Sequence, residues 1–489
     1  MSNYILQLPL KTEKWQEDII DKRLEIGRQI YNALLNVTWK RYKEMVKTKQ
    51  YRNLMSQLSH DKTKDKYIWK QITDIRKEFG ITEYSFHKDV SDMQKHYKTV
   101  INSHIAQKIA SRLWKAYDKL MFSDGIKIHY KRKDTYNSLE GKNNTTGIVF
   151  RSNTVIWGKL NIPVITDNSN PYEIMSLQNP IAYCRILRKY VKHKYRYYLQ
   201  LVLKGTPPVK IHKDTGEVKH CIGTGRVGLD IGTSTIAIVS ATTVRLQELS
   251  VRVQDIENRK RIINRKLDRS RRVTNPDNYN PDGTVKCKGN RKLTWNYSKH
   301  YIRYRNILKE LQRKQADIRK YEHECLANYI VSLGNDIRVE DMNYKGLQKR
   351  SKNTELNDKG KYKRKKRFGK TIANHAPSML LSIIDRKLSY DNYRLHKIDT
   401  KQVKASQYNH VTDTYIKKTL NQRWNSINGN KIQRDLYSAF LIMNTDTTLT
   451  AVDRDRCKET YDNFKYLHDI EIQRLSKLKN IPSCMGIAV

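Results

Sequence analysis

Residues 225–243 read GRVGLDIGTSTIAIVSATT. Val227, Leu229 and Ile231 alternate with Gly228, Asp230 and Gly232, and a second apolar run, Ile236 to Val239, follows after a few residues. Alternation followed by a short polar break predicts a β-hairpin opening a mixed α/β domain. Asp230 stands mid-strand, where a strand core wants Val or Ile. The glycines on either side leave space for something to approach the backbone closely.

Downstream, two helical stretches are expected at about 253–272 and 301–332, separated by a polar loop with Pro276, Pro281, Gly283 and Gly289. A strand follows in DIRVED, residues 336–341, with Glu340 at its end. A further helix is expected near 378–388. In NKIQRDLYSAFLIM, residues 430–443, the spacing of Ile432, Leu436, Ala439, Phe440 and Met443 predicts the apolar face of a helix. Asp435 borders that face. Three carboxylates therefore belong to two strands and one helix of one domain. A two-metal phosphodiesterase needs such a set, converging on two Mg²⁺ about 4 Å apart, and oxygen ligands select hard cations of that kind. Each carboxylate alone also suits a cap or an ion pair. A strand followed by D-x-G also opens the phosphate loops of actin-like and sugar-kinase proteins, but those want a second Asp-Gly hairpin together with further Gly-rich loops downstream, a set this sequence does not offer.

Upstream, YILQLPL (residues 4–10) reads as a short strand. Ile19, Ile26, Ile30, Leu34 and Val37 then hold helical spacing, as do Val100, Ile105, Ile109, Leu113, Tyr117 and Leu120 within a block from about 89 to 121. Trp15, Trp39, Trp69 and Trp114 on these faces are expected in the core. From about residue 127 the texture turns to β: IKIHY, GIVF, TVIWGKLNIPVI and YRYYLQLVLKG, separated by Gly, Asn and Pro. A helical insert thus interrupts a β-rich domain whose first strand is the N-terminal one. Residues 205–217, with Pro207, Pro208 and Gly216, read as the linker to the last domain.

The chain has 489 residues and a formal net charge of +46. Such an excess self-repels unless a polyanion neutralises it, and nucleic acid is the commonest. Among the aromatic residues 31 are Tyr, whose ring can stack on bases. No run approaches the roughly 20 apolar residues of a membrane span, and the N-terminus lacks the pattern of a secretory signal. The six Cys lie far apart without a CxxC, so neither a disulfide framework nor a zinc ribbon is expected. The expected location is the cytoplasm, associated with the nucleoid.

The order GLDIGTSTIAIVS, basic helical hairpin, IRVEDMNYKGL and IQRDLYSAFLI resembles the split RuvC nuclease domain of the TnpB family. Those proteins are transposon-encoded RNA-guided DNA endonucleases related to the compact type V CRISPR effectors. The resemblance runs end to end. It implies an α/β chain with added β-rich and helical domains. Residues 1–10 would be the first strand of an oligonucleotide-binding-like wedge domain, 11–122 a helical recognition domain and 123–215 the rest of the wedge. Residues 216–489 would be a RuvC-like, RNase H-like nuclease domain with its helical hairpin at about 253–332. Asp230, Glu340 and Asp435 take the catalytic, Mg²⁺-binding positions, with two ions. The family usually carries two CxxC pairs just before its last Asp. Here residues 404–432 keep Ser406-Gln407 but lack the cysteines, so no structural zinc is expected. His410 alone reads as a surface or hydrogen-bonded histidine. Packing of Tyr408, Tyr415, Leu420 and Trp424 would have to replace the metal.

The densest basic runs are RKRIINRKLDRSRR (259–272) and KRKKRF (363–368). Arg259, Arg265, Arg269, Arg271 and Arg272 are candidate nucleic-acid contacts. Lys345, Lys349 and Arg350 follow Glu340 and could guide a strand, and Arg423 is a candidate contact to the scissile phosphate. The expected partners are a guide RNA and target double-stranded DNA, with no membrane. Two other readings stay open: an RNA-guided repressor that binds without cutting, and a DNA-joining transposase of RNase H-like fold.

Overall fold

The computed structural model of the chain describes residues 3–59, 65–123, 125–286, 293–348, 368–419, 421–478 and 481–487. It mixes helix and sheet and divides into two compact units, Met1–Gly216 and Glu217–Val489. No helix among the described residues is long and apolar enough to cross a membrane.

In the first unit, strand β1 (Asn3–Pro9) buries Tyr4, Leu6 and Leu8 and exposes the residues between them. Helices α1 (Lys14–Met45), α2 (Lys49–Ser56), α3 (Lys66–Glu78), α4 (Glu83–Lys95) and α5 (Ser103–Phe122) follow. Then come β2 (Ser138–Glu140), β3 (Val149–Arg151), β4 (Thr154–Trp157), β5 (Leu160–Pro163), α6 (Pro171–Leu177), β6 (Ile181–Val191) and β7 (Lys194–Lys204). The main sheet has the order β1-β7-β6-β2, all antiparallel, and β3, β4 and β5 form a second sheet. Leu6 pairs with Leu201, so α1 to α5 are an insertion between two neighbouring parts of one β structure.

Several expectations change here. The helix expected from 89 to 121 is two helices, because Asn102 caps α5 by accepting from the Ile105 N–H at 3.0 Å. The segment IKIHY is not a strand. Its continuation bonds to α1 instead: Asn32 accepts from the Lys131 N–H at 2.8 Å and donates to the Lys131 carbonyl at 2.9 Å. Trp15 is 52% exposed, while Trp39, Trp69 and Trp114 pack partly buried against the core.

The second unit begins with β8 (Arg226–Ile231), β9 (Thr235–Ser240) and β10 (Val244–Glu248). The long helices α7 (Val253–Thr274) and α8 (Lys299–Leu333) precede β11 (Asp336–Glu340). After it come α9 (Tyr344–Gln348), α10 (Gly369–His375), α11 (Pro377–Leu388), β12 (His396–Ile398) and α12 (Thr400–Val403). Two small hairpins follow, β13 (Tyr408–Asn409) with β14 (Thr414–Tyr415), and β15 (Trp424–Ile427) with β16 (Asn430–Gln433). Helices α13 (Arg434–Met443) and α14 (Arg454–Ser476) come last. The sheet order is β10-β9-β8-β11-β12; β9 runs antiparallel to β8, and β11 parallel to both β8 and β12. Ile432 belongs to β16, not to the following helix; Gln433, whose side chain accepts from the Leu436 N–H at 2.8 Å, starts α13 instead.

Strand alternation divides this sheet cleanly. Val227, Leu229, Ile231, Ile337 and Val339 pack with Ile330 of α8 and Ile384 of α11. Ala237, Val239 and Leu246 pack on the other face with Leu436 and Phe440 of α13 and Phe464 of α14. Gly228 shares that second face and lets α13 lie directly on the strand. A Cβ there would run into the Ala439 carbonyl and come within 2.5 Å of the Met443 backbone nitrogen. Gly228→Ala is therefore expected to cost on the order of 3 kcal/mol, because the obstacle is backbone and cannot rotate away. Gly232→Ala, where the nearest atom is the Thr235 hydroxyl oxygen at 3.4 Å, should cost far less. Comparing the melting temperatures of the two variants checks this, and equal losses would show that α13 does not sit so close.

Candidate active site

The same alternation sets the carboxylates. Asp230 pairs with Ala237 and Gly228 with Val239, so Asp230 points to the face that carries α13. On β11, Ile337 and Val339 occupy the opposite core, which leaves Arg338 and Glu340 on the α13 face. Gly228 is registered with Arg338 and Leu229 with Val339 in parallel. One further step along that register sets Asp230 beside Glu340, both at the carboxyl ends of their strands. Asp435 stands in the first turn of α13, the turn that lies over this end of the sheet. Arg338 ties the other end of α13 down by donating to the Thr445 hydroxyl at 3.0 Å and the Asp446 carbonyl at 3.1 Å.

The electrostatics agree with the geometry. Burial holds the Asp230 carboxyl well above the usual carboxylate range, with the charges of Asp435 and Glu340 raising it further and Arg434 and Arg423 pulling it back. Burial also raises Glu340. Tyr344 is buried, and its hydroxyl donates to the Ile231 carbonyl at 3.3 Å. Burial pushes its pKa up, and both Asp230 and Glu340 add to the shift. Neither Asp230 nor Glu340 accepts a side-chain hydrogen bond among the described residues. Asp435 is engaged: Arg434 donates to Oδ1 at 3.2 Å and Arg423 lies 3.7 Å from Oδ2.

Two enclosed carboxylates without donors, beside a third, make an oxygen-only set suited to a hard cation, which would relieve their desolvation and repulsion. As the side chains stand, no three His, Cys, Asp or Glu among the described residues converge tightly enough to hold a metal ion. The trio shares this property, since Asp435 faces its two arginines. Arg423 was legible as a nearby cation. Arg434 was not, because adjacent residues on a helix do not normally face each other. Only the turn from β16 into α13 brings its guanidinium back over Asp435.

The segment before Asp435 is held by packing. Tyr408 is buried, and its ring lies tilted 4.9 Å from that of Tyr415, which is itself exposed. The Trp424 indole donates to the Gly486 carbonyl at 2.8 Å. Leu420 lies outside the described residues. His410 is the hydrogen-bonded one of its two expected kinds, and it is buried. Its Nδ1 lies 2.7 Å from the Tyr437 hydroxyl, and it packs against Phe440 and Tyr461. Burial lowers its pKa to about 4, and Arg454 and Lys458 act in the same direction. A depressed histidine contributes stability above its unfolded value, and that stability is lost as pH falls through the folded value. From roughly pH 6.5 down to 4 the loss is about 3 kcal/mol. His410→Gln should therefore lose less melting temperature across that window than the wild type. Parallel curves would assign the acid sensitivity elsewhere.

The candidate basic contacts separate into two groups. Arg259, Arg265 and Arg269 are exposed along α7 and make no ion pair among the described residues. Arg271 and Arg272 pair with Asp268 at 3.1 and 2.8 Å. Their guanidinium groups also lie over Trp295 at 5.2 Å and Tyr279 at 5.0 Å, which anchors the loop between α7 and α8. Lys345 is exposed on α9. Lys349, Arg350 and residues 363–367 of the second basic run lie outside the described residues.

No protein-family model and no curated protein matches this sequence. Among solved structures it is similar to one described as a Cas12f1–sgRNA–target DNA complex, at 11% identity and a TM-score of 0.39, covering 90% of this chain and 98% of that one. It is also similar to one described as a CRISPR–Cas12f ternary complex, at 14% identity and a TM-score of 0.22, covering 90% and 99%.

Proposed function

We propose that this chain is an RNA-guided, Mg²⁺-dependent DNA endonuclease with a RuvC-like, RNase H-like nuclease domain of the TnpB kind. The observation that carries the reading is the common face shared by Asp230, Glu340 and the first turn of α13 with Asp435. The mixed five-stranded sheet supports it, because the carboxylates belong to two adjacent strands and one covering helix. The net charge of +46 supports a partner as large as a structured RNA together with duplex DNA.

Asp230, Glu340 and Asp435 would hold the two ions. Bound Mg²⁺ supplies an activated water and charge stabilisation at the leaving oxygen. The protein's own part is to bring three carboxylates to one face of the sheet against their repulsion. Arg423 and Arg434 hold Asp435 in place and bring positive charge to where a phosphate would lie. Arg259, Arg265, Arg269 and Lys345, with Lys349 and Arg350, would follow the strand backbone. Hydrolysis would leave a 3′-hydroxyl and a 5′-phosphate. Structural zinc has no part in this reading, and the site of action is the nucleoid.

The test starts from RNA that copurifies with the protein. That RNA is sequenced, its variable segment is replaced, and the loaded protein is given duplex DNA carrying the complement beside randomised flanks in Mg²⁺. Cutting that follows the new segment and one short flanking motif is the expected result. Cutting that ignores the segment would overturn the guided reading.

A further inference from the structure

Asp435 stands in the first turn of α13, so its aim depends on how the chain leaves β16 at Gln433. Alternate N–H groups of an antiparallel strand point toward the partner strand and away from it. The Arg434 N–H meets the Arg423 carbonyl at 2.9 Å. That of Gln433, which is registered with Trp424, therefore turns away from β15. It points to the edge of β16 that carries no strand among the described residues. Gln433 is fully buried, and an N–H left unpaired there is costly.

Its acceptor comes from α14. The Gln433 N–H donates to His468 Nε2 at 3.0 Å. His468 is buried as well, and its Nδ1 faces the Asp469 carboxylate at 2.9 Å. A carboxylate only accepts, so Nδ1 carries the ring proton and Nε2 keeps the lone pair that Gln433 uses. Burial holds His468 below the usual histidine range in spite of Asp469, which keeps the ring neutral. Lys465 in turn pairs with Asp469, and Phe464 and Trp424 set their rings 5.9 and 6.4 Å from the imidazole. The Gln433 side chain carries the contacts on to the trio. Besides capping α13, its Nε2 donates to Asp435 Oδ2 at 3.4 Å and to the Met485 carbonyl at 3.1 Å.

We propose that His468 is a positioning residue for the acidic trio: by accepting the Gln433 N–H it fixes the turn from β16 into α13, and with it the direction in which Asp435 and Arg434 are presented. The proposal rests on the reading of the trio as a Mg²⁺ site. Groups that orient metal ligands from behind change metal affinity by roughly 10–100-fold when removed. His468 acts only through Gln433. Without this acceptor the Gln433 N–H must turn to water or to another carbonyl, and the first turn of α13 shifts with it.

The experiment uses the full chain freed of RNA at high salt. His468→Phe keeps an aromatic ring and removes the acceptor, and His468→Gln returns an acceptor oxygen near the place of Nε2. Should the Phe variant not fold, His468→Asn, whose shorter amide does not reach Gln433, takes its place. The first readout is the Mg²⁺ concentration that gives half of the metal-induced rise in melting temperature. It should increase at least about tenfold in His468→Phe and return close to wild type in His468→Gln. Leu475→Ala, which empties a core position of the same helix, should lower the melting temperature and leave that midpoint in place. The second readout is hydrogen exchange of the peptide spanning β16 and the first turn of α13, which should quicken in His468→Phe and not in His468→Gln. An unchanged midpoint in His468→Phe overturns the proposal, as does a His468→Gln variant that behaves like it. An equal midpoint shift in Leu475→Ala also overturns it, reducing His468 to packing. Asp230→Ala tests the underlying reading separately and should abolish the metal-induced rise. If the wild type shows no such rise and cuts no DNA, the Mg²⁺ reading falls, and exchange alone decides whether His468 holds the turn. Quickened exchange that His468→Gln reverses upholds that role, and equal exchange in all the variants overturns it.

Discussion

Asp230→Ala is expected to lower DNA cleavage by at least about 10³-fold, because residues that act as a unit lose nearly everything with one member. Glu340→Gln and Asp435→Ala should do the same. Asp230 is enclosed, accepts no side-chain hydrogen bond among the described residues, and has its carboxyl raised by burial and by the charges of both partners, so its ionised form is costly unless a cation offsets it. The fold should survive its removal. Deleting a desolvated charge relieves repulsion with Asp435 and Glu340, so the metal-free variant should melt no lower than the wild type. RNA binding should also persist, since the trio shares none of the exposed arginines of α7. The measurement is single-turnover cleavage in Mg²⁺ alongside a melting curve. Near wild-type cutting by any of the three variants would remove that residue from the proposed site.

Stripping the RNA is expected to have a comparable effect. Nuclease-treated, folded protein should show no sequence-specific cutting of duplex DNA, and the original RNA should restore it. The charge argument is quantitative in form: each phosphate neutralised adds roughly 0.7 to 0.9 to the slope of log affinity against log salt. A chain with a net charge of +46 that wraps a folded RNA should therefore lose RNA affinity by several powers of ten between 50 and 500 mM salt, at about ten phosphate contacts. Arg259→Ala combined with Arg265→Ala and Arg269→Ala should flatten that slope, whereas Arg272→Ala should instead loosen the loop it holds through Tyr279. Sequence-specific cleavage by RNA-free protein would favour a transposase or a conventional endonuclease.

Local pattern carried much of the architecture. The hairpin at 225–243, the two long helices after it and the helical turn bearing Asp435 follow from alternation and from helical spacing. Both are near-neighbour effects of backbone sterics and side-chain direction. Strand β6 was missed although it pairs with β7 along its length. Its alternation is blurred by Arg185 and Arg188, whose charges are satisfied by Glu140 and Asp21 only after folding. IKIHY failed for the converse reason: it alternates like a strand, but its continuation bonds to Asn32 of α1 instead of to a neighbouring strand. Of the two expectations for His410, surface or hydrogen-bonded, the second holds: α13 and α14 close aromatic rings around it and the Tyr437 hydroxyl meets its Nδ1.

The sequence by itself determined that Asp230 and Glu340 lie on strands and Asp435 on a helix, because period and turn chemistry are written residue by residue. Which face of the sheet receives that helix was decided by tertiary structure alone. The parallel register of β8 with β11, the missing side chain at Gly228 and the docking of α13 against it join residues about a hundred or more positions apart. No local period encodes such pairings; they arise only when apolar faces are buried together. That burial brings carboxylates from three distant stretches of the chain to one face of the sheet.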